Sequence, residues 1–361
     1  MTRSVVRALA PYKAGTSIEE VRKRFGLERI IKLASNENPL GSSPKALAAL
    51  QHLDGLHLYL DDAHLELKTA LAGRYGLSAE NVVLGHGSNE LVGLIAEMLL
   101  EPGLQAVMAT PSFQLYRLAT LVRGAAAVEV PLVEGKHDLE AMLAAVTERT
   151  ALMFLCDPNN PTGTSLDGAQ WEMLLARLPS HVTLVIDRAY SEYMDADAPD
   201  VTAFIKRRPK TLVLRTMSKI YGLASLRVGY GFGDAESIGW LDRIRLPFNV
   251  SLPAALGALG ALEDDAFVRR SVELNEAGKA YLGAEFARLG LRAYPTQANF
   301  IAVEVPVEAT RAYEALLERG IIVRSGDALH MPGWLRVTIG TPEENRAFVA
   351  ALEELLVQWR A

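Results

Sequence analysis

The sequence predicts an α/β protein in which a largely parallel β-sheet has helices on both faces, followed by a smaller α+β unit. Two features predict this fold class. Between about residues 80 and 235, short β-branched or apolar runs alternate with amphipathic segments of helical length, the order expected of parallel strands joined by crossover helices. After about residue 250 the chain changes to Ala-, Leu- and Glu-rich helical stretches, then two more strand candidates and a last helix.

The individual elements follow in chain order from these patterns. Six apolar runs of the first region are predicted strands: 82–85, 106–109, 151–156, 182–186, 211–214 and 228–232. Helices are predicted before and between them, at 17–25, 89–100, 139–146 and 171–178. The second region is predicted to contain helices at 254–264 and 266–289, strands near 299–304 and 334–339, and a helix from about 343. We therefore expect an N-terminal arm (1–29), a large domain (30–247) and a small C-terminal domain (248–361).

Composition and charge exclude several classes of protein. The 361 residues are 50% hydrophobic and 22% charged, which is typical of a folded globular chain. Lys and Arg number 37 against 43 Asp and Glu, so the net charge of −6 provides no positive field for a nucleic acid. No apolar run approaches the ~18 residues of a membrane span, and Arg7 interrupts the short apolar start that a secretory signal would need. A cytoplasmic protein is expected.

Neither a disulfide nor a metal site is predicted. The single cysteine, Cys156, has no partner and lies in an apolar run where a small core residue is expected. The seven histidines show no spacing that is typical of metal ligands. We therefore expect chemistry that does not depend on a metal ion.

Polar segments follow four of the predicted strands, at the sheet edge where doubly wound folds bind ligands. They are Gly85–Glu90, Asp157–Gly163, Asp187–Tyr190 and Arg215–Arg227. Each segment alone has a structural explanation: a glycine turn, a proline loop, a helix N-cap or a solvated lysine. Together they provide a helix N-terminus suited to a phosphate, a carboxylate, a phenol, an amide and a lysine. Four such segments at four strand ends predict a binding site.

This set of groups is what pyridoxal 5'-phosphate requires. A lysine forms the Schiff base, a carboxylate keeps the pyridine nitrogen protonated so that the ring accepts electrons, and donors tune the phenolate oxygen. The segments Pro158-Asn-Asn-Pro-Thr-Gly163, Asp187-Arg-Ala-Tyr190 and Ser218-Lys219, with Arg227 eight residues after the lysine, resemble the fold-type I aminotransferases over nearly the whole chain. The resemblance implies a large domain with a mostly parallel seven-stranded sheet, pyridoxal phosphate as cofactor, and transamination.

The resemblance also implies roles for single residues. Lys219 would form the Schiff base and then act as base and acid in the proton transfer, and Asp187 would pair with the pyridine nitrogen. Tyr190 and Asn160 would hydrogen-bond to the phenolate oxygen, and Phe113 would stack on the ring. The cofactor phosphate would be bound by four residues: Ser88, Asn89, Ser218 and Arg227.

Within that family the chain most resembles the histidinol-phosphate aminotransferases. Seven segments match them moderately well: Pro11–Lys13, Lys32–Gly41, Gly87–Glu90, Pro247–Val250, Ala298–Phe300, Val323–Arg324 and Leu335–Thr341. The likeness implies ping-pong transfer of the amino group of L-histidinol phosphate to 2-oxoglutarate, giving imidazole acetol phosphate and L-glutamate in histidine biosynthesis. The substrate would be bound by four residues: Tyr12, Asn36, Arg324 and Arg336.

Two of these implications have a physical basis of their own. Arg336 lies in the apolar strand candidate 334–339, where an unpaired buried charge would be costly, so an anion is expected beside it. One guanidinium can bind either a phosphate or a carboxylate, which suits both halves of the cycle. The resemblance further implies a homodimer in which Tyr12 and Tyr59 reach the neighbouring site. However, the chain has Tyr59-Leu-Asp61 where the family commonly has Tyr-Pro-Asp.

Three other functions stay open at this point. An aromatic amino acid aminotransferase could use the same lysine, aspartate and arginines, and a decarboxylase of a phosphorylated amino acid could use the same lysine and aspartate. A non-catalytic regulatory protein of this fold is opposed by the retained site residues and by the acidic chain. A nucleotide-binding protein is disfavoured because Glu90 stands where a third dinucleotide-binding glycine would be needed.

Overall fold

A computed structural model describes residues 4–9 and 15–360 of the chain. Its strands, in chain order, are β1 (Ile31–Lys32), β2 (Val82–His86), β3 (Gln105–Thr110), β4 (Ala126–Pro131), β5 (Thr150–Cys156), β6 (Thr183–Asp187), β7 (Thr211–Thr216), β8 (Val228–Phe232), β9 (Phe300–Glu304), β10 (Ile321–Ile322), β11 (Arg324–Ser325) and β12 (Trp334–Thr338). All six strands predicted in the first region are present, with ends shifted by two residues at most.

Seven strands form the main sheet in the order β2-β8-β7-β6-β5-β3-β4. The five strands from β7 to β4 in this order are parallel to one another, and β8 runs antiparallel to both of its neighbours, β7 and β2. The predicted fold class is therefore confirmed. The edge strand β4 (Ala126–Pro131) was missed because only one of its residues is buried and it ends in proline, so it lacks the apolar run of a buried strand.

The helices are α1 (Ser4–Ala8), α2 (Ile18–Phe25), α3 (Pro44–Ala49), α4 (Leu65–Gly73), α5 (Ser88–Leu99), α6 (Leu115–Val122), α7 (Leu139–Ala144), α8 (Gly168–Arg177), α9 (Phe204–Arg207), α10 (Ala235–Ile244), α11 (Leu252–Leu262), α12 (Asp265–Arg288), α13 (Ala309–Leu317) and α14 (Pro342–Arg360). Local sequence explains several of their starts. Asp167 and Gln170 form a capping box at α8, and Ser251 caps α11 ahead of a proline in its first turn.

Two apolar clusters cover the two faces of the main sheet. One contains residues of α4, α8 and α11, and the other contains residues of α5, α6 and α10. A third cluster joins α12, α13 and α14 to the small sheet β11-β12-β9. Cys156 is buried in the second cluster, where burial raises the pKa of its thiol.

The domain boundaries at 29 and 247 stay a prediction. Contacts cross both of them: Arg24, before the first boundary, forms an ion pair of 2.8 Å with Glu314, and α11, just after the second, packs in a cluster of the main sheet. Within 4–9 and 15–360, no helix is both long and apolar enough to cross a membrane. Over the same ranges, no group of His, Cys, Asp and Glu is arranged to hold a metal ion.

Candidate active site

The central strands β5, β6 and β7 are neighbours and parallel, so their carboxyl ends meet at one edge of the main sheet. Three of the predicted segments begin there. Asn160 follows β5, Asp187 ends β6 with Tyr190 three residues later, and Lys219 follows β7. The topology thus brings together side chains that are far apart in the sequence.

Lys219 lies at the centre of this edge. By surface area its side chain is half-buried, and its Nζ donates a hydrogen bond of 3.0 Å to the carbonyl oxygen of Ser35. The same nitrogen is 5.9 Å from the centroid of the Tyr190 ring. Burial, and then the positive charge of Arg336, lower the pKa of Lys219 to about 8. A substantial fraction of the amine is therefore neutral near physiological pH, the form that attacks a carbonyl carbon.

Asp187 is a buried carboxylate with two donors. The phenol of Tyr116 donates to Oδ2 over 2.8 Å and the backbone N–H of Ala189 donates to Oδ1 over 3.1 Å. Burial raises the pKa of Asp187, whereas Tyr116, Ala189 and the charge of Lys219 each lower it. Tyr116 lies three residues after Phe113, and no sequence signal pairs it with Asp187, so this contact was not predicted.

A buried polar network fixes Tyr190. Its phenol oxygen accepts a hydrogen bond of 2.9 Å from Nδ2 of Asn36. The Oδ1 of Asn36 accepts from Oγ1 of Thr338 over 3.2 Å, and its carbonyl oxygen accepts from Nδ2 of Asn299 over 3.0 Å. Asn36 has a φ of 54°, a left-handed conformation that asparagine tolerates better than most residues. Burial raises the pKa of Tyr190, so the phenol stays protonated at neutral pH.

Arg336 enters the site from the small sheet. Its guanidinium donates hydrogen bonds of 2.6 Å to Oδ1 of Asn160 and to the carbonyl oxygen of Ala34. Arg336 is 7% exposed. Arg324 stands directly opposite Arg336 in the antiparallel pair β11-β12. Like charges in that position repel each other, so an anion bound nearby would be stabilised.

The turn before α5 forms a cradle with the segment that follows β7. Gly87 has a φ of 74° and precedes Ser88 and Asn89, the first residues of α5. A Cβ on Gly87 would lie 2.3 Å from the guanidinium of Arg227, and a Cβ on Gly229 would lie 2.1 Å from the backbone nitrogen of Ser88. Glycine is therefore required at both positions. The helix N-terminus and the guanidinium together favour a bound anion.

The other predicted cofactor contacts differ in how the chain places them. Ser218 is buried near the cradle, and its Oγ accepts a hydrogen bond of 2.9 Å from Thr216. Phe113 is half-buried and meets the Tyr116 ring edge-on at 5.5 Å. Tyr59 is 85% exposed and stacks on Phe248 at 4.6 Å. Tyr12 lies outside the described residues.

The donor set fits pyridoxal phosphate. The cradle offers backbone N–H groups and a guanidinium but no room for a Cβ, which suits a phosphate. A partly neutral amine (Lys219), a buried carboxylate (Asp187) and a protonated phenol (Tyr190) lie at the adjoining strand ends. These groups match the aldehyde, the pyridine nitrogen and the phenolate oxygen of that cofactor.

Comparison with known proteins agrees with this geometry. The family model "Aminotransferase class I and II" matches residues 28–352. The histidinol-phosphate aminotransferase of Moorella thermoacetica is 45% identical over 98% of this chain and 92% of its own length, and histidinol-phosphate aminotransferase 1 of Cupriavidus pinatubonensis is 48% identical over 97% and 95%. A histidinol-phosphate aminotransferase from Sinorhizobium meliloti, solved in complex with pyridoxal-5'-phosphate, superposes with a TM-score of 0.90 at 27% identity, covering 99% of this chain and 98% of that one. This chain therefore belongs to the class I and II aminotransferases.

Proposed function

We propose that this chain transfers the amino group of L-histidinol phosphate to 2-oxoglutarate, producing imidazole acetol phosphate and L-glutamate, with pyridoxal phosphate as cofactor. The observation that supports this most directly is the Lys219 amine, whose pKa is lowered to about 8 beside the Arg336 guanidinium and the Asp187 carboxylate. An amine, an electron-sink partner and an anion-binding group are the three components that transamination of an anionic substrate needs. The names of the relatives at 45% and 48% identity agree with this substrate.

The proposed cofactor contacts follow from the placement of each group. The N-terminus of α5 at Ser88 and Asn89, together with Ser218 and Arg227, would hold the phosphate. When bound, the cofactor supplies an aldehyde and an electron-accepting ring. The roles of the remaining residues are those of a ring-binding set: Asp187 toward the pyridine nitrogen, Tyr190 and Asn160 toward the phenolate oxygen, and Phe113 against the ring face.

Lys219 is proposed to move the proton during the reaction. With a pKa of about 8, its Nζ can both accept and return a proton near neutral pH at low free-energy cost. The Ser35 carbonyl oxygen, 3.0 Å away, orients the nitrogen. The nitrogen also lies 5.9 Å from the centroid of the Tyr190 ring.

Arg336 is proposed to bind the anionic end of both substrates, with Arg324 beside it. Histidinol phosphate presents a phosphate and 2-oxoglutarate presents carboxylates, and a guanidinium forms paired hydrogen bonds with either group. Asn36 would complete this side of the site through its bond to Tyr190. A shared anion position allows one cavity to serve both half-reactions.

We further propose a homodimer with shared active sites. Large apolar side chains are exposed on one part of the surface around Tyr59: Leu56, Leu58, Leu65, Leu246 and Phe248. Exposed apolar patches of this kind are typical of subunit contacts. Light scattering on Leu58→Glu/Leu246→Glu should report a monomer where the wild type is a dimer, and an unchanged mass would contradict the proposal. A cytoplasmic location stays a prediction from the sequence.

An absorbance titration of the purified protein loaded with pyridoxal phosphate tests the substrate. L-Histidinol phosphate at low concentration should convert the bound cofactor to its pyridoxamine form, and L-glutamate should do the same. Conversion by L-phenylalanine at lower concentration than by histidinol phosphate would instead establish the aromatic aminotransferase. Release of carbon dioxide from a phosphorylated amino acid would establish the decarboxylase. Lys219→Ala should lose both the colour and turnover, and a fully active variant would overturn the site assignment.

A further inference from the structure

A buried ion pair stands directly behind the proposed cofactor site. Arg188 and Asp157 form an ion pair of 3.1 Å between a guanidinium nitrogen and Oδ2, and their side chains are 2% and 0% exposed. Neither residue has a role in the function proposed above. Arg188 immediately follows Asp187, and Asp157 precedes Asn160 by three residues.

Each partner is also tied to the sheet by its backbone. The N–H of Asp157 donates to the carbonyl oxygen of Asp187 over 3.0 Å, and the N–H of Arg188 donates to that of Leu214 over 2.8 Å. The second carboxylate oxygen of Asp157 accepts from the N–H of Leu166 over 3.0 Å. The ion pair and these backbone bonds together join the ends of β5, β6 and β7 to the loop after β5.

Further contacts of Arg188 restrict its movement. Its guanidinium donates to the carbonyl oxygen of Pro199 over 3.3 Å and lies 5.8 Å from the centroid of the Trp171 ring. Burial lowers the pKa of Arg188, and the charge of Asp157 raises it. An ion pair with this degree of burial adds little net stability, because desolvation offsets most of the attraction. We therefore expect the ion pair to affect the positions of the residues that it joins more than the stability of the fold.

We infer that the Asp157–Arg188 pair is a positioning device that sets the separation between Asp187 and Asn160. The inference rests on the proposed function, in which Asp187 and Asn160 bind different atoms of one rigid ring. The pair joins the strand end that bears Asp187 to the base of the loop that bears Asn160.

The loop itself is short and internally bonded, so it transmits a shift at its base. The N–H of Asn159 donates to the carbonyl oxygen of Thr164 over 2.8 Å, and the N–H of Gly163 donates to that of Asn159 over 2.7 Å. Asn160 lies between these bonds and also accepts from Arg336. Because these bonds hold the loop together, a change at Asp157 should alter the hydrogen-bond geometry at both the ring and the anion site.

The double variant Asp157→Asn/Arg188→Met tests the inference. It removes both charges together and so avoids the unpaired buried charge that each single variant would leave. The holoenzyme of this variant should fold with a melting temperature close to that of the wild type. Its kcat should fall about tenfold, which is less than the ~10²-fold loss that a 1 Å misplacement can cause. The KM for either substrate should change by a smaller factor than kcat. The pH at which the absorption of the bound cofactor changes should also shift, because that pH reports on donors at the phenolate oxygen.

Arg208→Met is the matched control. Arg208 is also buried, but its guanidinium donates to the carbonyl oxygens of Pro179 and Val182, at the opposite end of β6. This variant should leave the absorption profile unchanged even if it lowers the melting temperature. A double variant with wild-type kcat and a wild-type absorption profile would overturn the inference, as would the same shift in Arg208→Met.

Two further outcomes are decisive. If the double variant does not fold, Arg188→Lys replaces it, since the lysine keeps the charge and loses the planar fork. A shift in the absorption profile then supports the inference and an unchanged profile overturns it. If the wild type itself takes up no pyridoxal phosphate, the proposed function fails first. If the wild type takes up pyridoxal phosphate and the Asp157→Asn/Arg188→Met variant keeps the wild-type kcat and absorption profile, the positioning role is rejected and the proposed function is not.

Discussion

The phenol of Tyr116 donates a hydrogen bond of 2.8 Å to Oδ2 of Asp187, in a region that excludes water from both side chains. Tyr116 also stacks on Phe154 with a centroid separation of 4.7 Å and an interplanar angle of 9°, so the direction of its hydroxyl is fixed. Burial raises the pKa of Asp187, and the hydrogen bond from Tyr116 is the largest of the effects that lower it. This tyrosine therefore favours the charged form of the carboxylate that is proposed to face the pyridine nitrogen.

Tyr116→Phe tests that relationship. Without the hydroxyl, the pKa of Asp187 should rise further and the carboxyl group should be protonated more often at neutral pH. We expect kcat to fall about tenfold and the cofactor to dissociate more readily, as follows from losing one hydrogen bond to a charged group. Steady-state kinetics and equilibrium dialysis measure both effects. Tyr281→Phe, which removes a phenol packed against the third apolar cluster, is the control. Equal effects in the two variants would contradict the assignment.

The pH dependence of cofactor uptake should follow Lys219. Its pKa of about 8 lies below the ordinary value of 10.5, so the protonated form dominates below pH 8 and the reactive neutral amine dominates above it. The rate of absorbance change on adding pyridoxal phosphate to apo-protein should therefore rise with pH, reach half of its maximum near pH 8 and level off only well above that pH. Arg336→Met removes a positive charge that lowers this pKa, so its midpoint should move to higher pH. A midpoint near 10.5 in the wild type would contradict this prediction.

Arg336→Lys should weaken the interaction of the enzyme with both substrates. The lysine keeps the charge but cannot form the paired hydrogen bonds of a guanidinium. Losing one such charge-assisted bond costs about 1.5–3 kcal/mol, so kcat/KM should fall roughly 10- to 100-fold for histidinol phosphate and for 2-oxoglutarate alike. Arg292→Lys, at a side chain that is 50% exposed, should change neither value. A fall for one substrate only would show that the anion site is not shared.

Gly229→Ala should disrupt the anion cradle. The new Cβ would lie 2.1 Å from the backbone nitrogen of Ser88 and 2.2 Å from the carbonyl carbon of Gly87, so the N-terminus of α5 must move. We expect the free energy of unfolding to fall by about 1–3 kcal/mol and the affinity for pyridoxal phosphate to fall with it.

Gly93→Ala is the control for this prediction. Gly93 lies within α5, and a Cβ added there would meet no neighbouring atom within 4 Å. The change should therefore raise the free energy of unfolding by up to about 1 kcal/mol. Denaturant unfolding and a cofactor titration distinguish the two variants. A loss of cofactor in both would mean that the cradle is not where the phosphate binds.

The sequence alone determined the fold class and the types of group in the site. Apolar runs at 151–156, 182–186 and 211–214 identify buried strands from local composition. The segments after these three runs identify Asn160, Asp187 and Lys219 by local motif. The strand β4 escaped detection because an exposed edge strand needs no apolar pattern.

Only the tertiary structure decided how those groups are tuned. Tyr116 bonds to a residue 71 positions away, and Arg336 bonds to Asn160 across 176 positions. The burial that lowers the pKa of Lys219, the position of Arg324 opposite Arg336 and the ion pair between Asp157 and Arg188 likewise depend on how separate elements pack. Local sequence specifies the period and the chemistry of a segment, whereas distances and desolvation arise only when distant segments meet.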